Sequence, residues 1–181
     1  MEILEKAQKF VAEILAKKKD NSDLIHSEKT VYWIKNLRPD ADEALLVAGA
    51  LHDIERAIYG DWKAGSSEEE ALRKHQDLSA EEAEKFLAQI SASQEFIERV
   101  KHLISAHETG GDEDQNILCD ADVLAWLEDK APRNVRKHKA EGKPKEAMKE
   151  KLDYLMGRLS TEKAKEIARK FYDKAVLELE I

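Results

Sequence analysis

The chain is poor in the residues that break helices or cross-link chains. Its 181 residues include one cysteine, three prolines and seven glycines. A single cysteine, Cys119, excludes an internal disulfide, and the lack of a disulfide framework fits a reducing compartment. So little glycine and proline leaves few turns for a sheet protein. No uninterrupted apolar run is long enough to span a bilayer, so no membrane association is expected. The opening segment Met1-Glu2-Ile3-Leu4-Glu5-Lys6 is acidic from its second residue and does not read as a secretory signal. The cytoplasm is the expected location. Excess positive charge is absent too. With 30 basic against 38 acidic residues the net charge is −8, so general nucleic-acid binding is not expected.

What the chain does have is helix. It is 42% hydrophobic and 38% charged, and its apolar residues recur at helical spacing. Ile3, Leu4, Ala7, Phe10, Val11, Ile14 and Leu15 predict a first helix to about Lys19. A second is predicted from Leu24 to Leu37, with Pro39 ending it. The run Ala44 to Leu51 is apolar all round and predicts a buried central helix. Helical segments are then expected from Glu68, from Ser79 (where Glu82 suggests a capping box), over 93–108, from Asn116 or Asp120 to Lys130, and over 145–159 and 161–179. Pro132 marks a junction before a basic stretch. No period-2 run suggests a strand. The fold class is therefore all-α, a bundle of about eight helices, read as one domain over 1–181.

Six residues stand out on this scaffold: His26, His52, Asp53, His75, His107 and Asp122. Helical spacing puts His26 with Thr30, Trp33 and Leu37, His52 with Leu45 and Ala48, and Asp53 over Leu46, Gly49 and Ala50. His75 stacks with Ala71, Leu72 and Leu78, and His107 aligns with Phe96, Val100 and Leu103. One histidine on an apolar face is ordinarily a hydrogen-bonded core residue. Four of them with two aspartates suit a divalent transition metal, whose ligands are imidazoles and carboxylates, and burial without such a partner is costly. Asp120 and Asp122 lie about 200° apart around a helix; Asp122 shares its face with Leu118, Ala125 and Trp126 and is the expected ligand, while Asp120 suits a helix start. His102, among Glu95, Glu98 and Arg99, should face solvent, as should His138 among Arg133, Arg136, Lys137 and Lys139. Cys119 reads as a small core residue.

The order and context of these residues resemble the HD-domain superfamily of metal-dependent phosphohydrolases. Its signature is a dispersed H, HD, H, H, D series on an all-helical core. His26-Ser27-Glu28-Lys29-Thr30-Val31 is similar to the first histidine segment, and Ala48-Gly49-Ala50-Leu51-His52-Asp53-Ile54 resembles the central one. His75-Gln76-Asp77-Leu78-Ser79-Ala80, Leu103-Ile104-Ser105-Ala106-His107-Glu108 and Ile117-Leu118-Cys119-Asp120-Ala121-Asp122-Val123-Leu124 resemble the remaining three. The resemblance covers about 22–130, a metal-binding core followed by C-terminal helices over 131–181.

The resemblance implies one metal on His26, His52, Asp53 and Asp122, with His52 and Asp53 as the catalytic pair. It implies a second metal on His75 and His107, bridged by Asp53. Manganese, iron, cobalt, nickel or zinc would suit such ligands. The implied reaction is hydrolysis of a small phosphorylated metabolite, a phosphate ester or anhydride and most plausibly a nucleotide, by a metal-activated water. Arg56 and Lys63 are the candidate phosphate contacts. Trp62 or Tyr59 could stack on a base, Glu108 could support a ligand, and the Arg133–Lys139 basic cluster could attract an anion. Glu55 departs from the family, which has glycine there. The Gly-Tyr-Pro extension of cyclic-dinucleotide enzymes is missing after His107. Two other readings share the same ligands: an HD-fold di-iron oxygenase, and a metal-binding regulatory module without turnover.

Overall fold

A computed structural model describes residues 2–16, 21–60 and 69–181. Among them are ten α-helices and no strand. These are α1 (Ile3–Leu15), α2 (Ser22–Leu37), α3 (Glu43–Leu51), α4 (Ile54–Tyr59), α5 (Glu69–Gln89), α6 (Gln94–Ile104), α7 (Glu113–Ala125), α8 (Ala131–Ala140), α9 (Lys145–Gly157) and α10 (Glu162–Glu180), with a π-helical turn over Trp126–Lys130. Only His52 and Asp53 separate α3 from α4, and the π-turn joins α7 to α8 without a gap. Counted as continuous rods, the ten helices make eight.

The central rod is α3. Its residues from Ala44 to Leu51 are buried except for Leu46, which is partly so. Asp42 caps it by accepting from the Leu45 amide at 2.9 Å, and α1, α2 and α6 pack around it. Gly49 permits the close approach of α2, since a Cβ there would lie 2.4 Å from Ile34 Cδ1. Buried apolar residues from Leu4 to Leu179 form one continuous core, so α8, α9 and α10 are sealed onto the same interior. No helix among the described residues is long and apolar enough to cross a membrane.

Three boundaries differ from the sequence reading. Helix α5 runs through Ser79 without a new start. Ser79 is buried, and Glu82 is turned outward to Lys85 and Tyr59, so one continuous stripe of Ala71, His75, Ala83 and Phe86 wins over the local cap. Helix α7 begins three residues before Asn116, because Asp112 and Gln115 form a reciprocal capping box. The basic stretch after Pro132 is itself helical. Pro132 stands in the first turn of α8, directly after the π-turn, and does not end the rod. The expected last turn of the first helix, to Lys19, falls partly outside the described residues.

Candidate metal centre

All six candidate ligands meet beneath the core. His26 comes from the second turn of α2, and Asp122 from α7, which packs along it. His52 and Asp53 occupy the break between α3 and α4, where Asp53 leaves helical geometry at φ −107° and ψ 15°. That break turns both side chains of adjacent residues toward one point, which a continuous helix could not do. His75 projects from α5. His107 lies beyond α6, in a tight turn where its amide donates to the Ile104 carbonyl, rather than on the helix expected to run through it.

The donor atoms fall into two groups that share Asp53. In the first, His26 Nε2 is 3.2 Å from His52 Nε2 and 3.0 Å from Asp122 Oδ1. His52 Nε2 is 3.5 Å from the same oxygen. Both rings lie 3.7 Å from Asp53 Oδ2. In the second, His75 Nε2 is 3.1 Å from His107 Nε2 and 3.1 Å from Asp53 Oδ1, with His107 Nε2 3.8 Å from that oxygen. Ligand bonds of about 2.0–2.2 Å place neighbouring donors about 3.0–3.6 Å apart around one cation. Both groups match that spacing closely, and both could hold a metal ion.

Hydrogen bonds on the far side of three of the four rings fix their orientation, while the buried His26 Nδ1 has no partner among the described residues. A carbonyl can only accept, so His52 Nδ1–H donates to Gly49 O at 2.9 Å and His107 Nδ1–H to Ile104 O at 2.8 Å. His75 Nδ1 bonds the Glu55 carboxylate. When neutral, His52 and His107 therefore turn an Nε2 lone pair toward the site, free to meet a proton or a cation. Support of this kind from carbonyl or carboxylate is the usual partner of a metal-bound histidine. Glu55, the departure from the family pattern, is thus a buried support for His75 rather than a surface residue.

Without an ion, protons and arginines balance the charge. Burial opposes the His75 imidazolium, but hydrogen bonds with Asp53 and Glu55 outweigh it and lift its pKa to about 9. Burial also opposes charge on His52, and the Asp53 and Asp122 carboxylates raise it nonetheless. Burial together with the neighbouring His75 and His52 charges holds His107 well below the ordinary histidine range. Burial would raise Asp53 and Asp122, yet Arg56 and Arg158 respectively pull them well below the usual carboxylate range.

Arg56, a candidate phosphate contact, lies at the centre. It donates to Asp53 Oδ2 at 2.9 Å, with its other terminal nitrogen 3.2 Å from His75 Nε2. Lys63 and Trp62 lie outside the described residues. Tyr59 is turned to the surface, where it bonds Glu82, which does not favour stacking in the site. The basic cluster is engaged elsewhere: Arg133 pairs with Asp129 and Arg136 with Glu178. His102 is exposed beside Asp112, and His138, half-buried, bonds the Pro144 carbonyl. Asp120 faces away from the ligands and accepts from the Ser160 and Thr161 amides and the Thr161 hydroxyl, holding in place the residue that caps α10.

Sequence reasoning missed Arg158. From the end of α9 it donates to Asp122 Oδ2 at 2.8 Å, pairs with Glu108 Oε2 at 2.8 Å and bonds the His107 and Glu108 carbonyls. It therefore sets the far oxygen of one ligand and the turn that carries another. No motif marks it.

The model of a family described as a domain of unknown function, DUF4202, matches residues 6–179. The chain belongs to the DUF4202 family. The match runs through every candidate ligand and through Arg158, so this DUF4202 chain carries its whole centre inside the family's span. No curated protein and no solved structure matches it.

Proposed function

We propose that this DUF4202 chain is a metal-dependent phosphohydrolase of the HD type, acting on a small phosphate ester or anhydride, most plausibly a nucleotide. The observation that carries the reading is the division of Asp53. Its Oδ1 serves one histidine pair and its Oδ2 the other, with Arg56 at the shared edge. Cations held by His26, His52, Asp53 and Asp122 and by Asp53, His75 and His107, with Arg56 beside them, would give a positive surface suited to a phosphoryl group.

Bound divalent ions, from the set manganese, iron, cobalt, nickel or zinc, would supply Lewis acidity to a phosphoryl oxygen and an acidified water as nucleophile. The protein's own groups do the rest. Asp53 fixes the separation of the two halves, and His52, tied through Nδ1 to Gly49, offers only Nε2 to the site. Arg56 turns its guanidinium to the phosphoryl oxygens. Glu108 Oε1, 3.6 Å from Arg56 and 3.9 Å from His75 Nε2, holds the Arg56 guanidinium at the edge of the site. Its other oxygen is anchored by Arg158, so Oε1 keeps its position.

The test is phosphate or pyrophosphate release from a panel of esters and anhydrides by the purified chain, loaded with manganese or cobalt. Turnover of at least one substrate, abolished by Asp53→Ala, is expected. A fully metallated sample that releases nothing would reject the proposal. Tightly held iron with substrate-dependent oxygen uptake would point to the oxygenase reading instead.

A further inference from the structure

Helix α9 carries Lys151, Tyr154 and Arg158 at i, i+3 and i+7, which places them on one face. Arg158 defines where that face points, because it reaches Asp122 and Glu108 at the centre. Tyr154 shares those neighbours and keeps 43% of its surface exposed. The same line ends at Lys151, roughly two turns further out.

Lys151 differs from the other lysines of α9. Lys145 pairs with Glu180 and Lys149 with Asp153. Among the described residues no carboxylate lies within ion-pair distance of Lys151, whose ammonium sits over the Trp126 ring, 4.7 Å from its centroid. Trp126 opens the π-turn that follows Asp122, and Lys130 closes it, paired with Asp23. Burial and the positive charges of Arg56 and Lys130 all disfavour the ammonium, and Glu108 only partly offsets them. The Trp126 ring face offsets part of that cost, and among the described residues no negative charge completes the balance, so the position suits an added anion. Arg56 bonds Asp53 at the edge of the metal centre, whereas Lys151 rests on Trp126, so an anion at Lys151 takes a different position from a phosphoryl group at Arg56.

We infer that Lys151 forms a second anion position beside the centre, and that the ligand carries two phosphoryl groups, one over the metal halves and one at Lys151. The inference rests on the phosphohydrolase reading and narrows its substrate to diphosphate or bisphosphate compounds.

The experiment is titration of the metal-loaded chain with inorganic phosphate and with imidodiphosphate, a non-hydrolysable two-phosphoryl probe. Metal content of the recovered protein is measured in parallel. Wild type should bind imidodiphosphate more tightly than phosphate. Lys151→Met keeps the aliphatic packing on Trp126. It should weaken imidodiphosphate about tenfold, the loss expected for one charge-assisted hydrogen bond, with phosphate affinity and metal content unchanged. Lys151→Arg should restore the preference. Equal weakening of both probes, or of neither, would overturn the second position. Wild type binding neither probe while fully metallated would instead strike at the phosphohydrolase reading itself.

Discussion

At the scale of single residues, the centre depends on what lies behind the ligands. Glu55 bonds His75 on the side away from the site. Glu55→Gln keeps the shape but removes the charge, and loss of such a partner typically lowers metal affinity about 10–100-fold. The loss should fall on the His75–His107 half, so metal analysis of metal-loaded samples should give one ion per chain where two are expected for wild type. His102→Ala, at an exposed position, should leave the ion count unchanged. The His75 proton gives a pH signature. Its folded pKa of about 9 is above the ordinary 6.5. The stability it confers on the metal-free chain is therefore complete below about 6.5 and is lost as pH rises through about 9. Urea denaturation under chelation should show stability falling across that window, and His75→Gln should flatten it. Metal affinity should rise over the same window, because the ion displaces that proton.

At the scale of helices, the sequence carried the identity of most rods and the positions of the ligands on them. His26 and Asp122 were legible because each interrupts an otherwise apolar helix face. The turn that carries His107 was not, because its tightening after Ile104 comes from hydrogen bonds among Ile104, Ala106 and Gly110 that spacing alone does not reveal. Local pattern offers Asn116 or Asp120 as the start of the seventh helix, whereas Asp120 anchors the capping residue of a different one. Two backbone amides and a hydroxyl converge on its buried carboxylate, a contact spanning about forty positions that no local pattern encodes. Asp120→Ala should cost roughly 2–4 kcal/mol, read as a fall in Tm on the order of 5–10 °C. Metal stoichiometry should survive, since Asp120 faces away from the donors.

At the scale of the whole molecule, the donors come from five of the eight rods or their connecting turns. An ion bound there ties α2, α3, α5, the turn after α6 and α7 together in a chain with no disulfide. Any ligand that binds only the folded form stabilises it in proportion to occupancy, by about 2.7 kcal/mol per site at a hundredfold excess over Kd. Thermal unfolding should shift upward on metal addition and back on chelation, with Asp53→Ala losing most of the shift because both halves use that carboxylate. The all-helical class and the gathering of six distant residues followed from periodicity and residue type. The contribution of α9 did not, because Arg158 and Lys151 acquire meaning only once that helix is laid against the centre.

The anchoring of Asp122 by Arg158 bears on when the centre can form. A nascent chain emerging from the ribosome has all six donors by position 122, but the guanidinium that orients the last of them lies 36 positions further on. If the centre takes a metal, capture during synthesis should therefore lag behind the appearance of the donors, and a ribosome-stalled chain ending before α9 should bind added manganese or cobalt more weakly than the released protein.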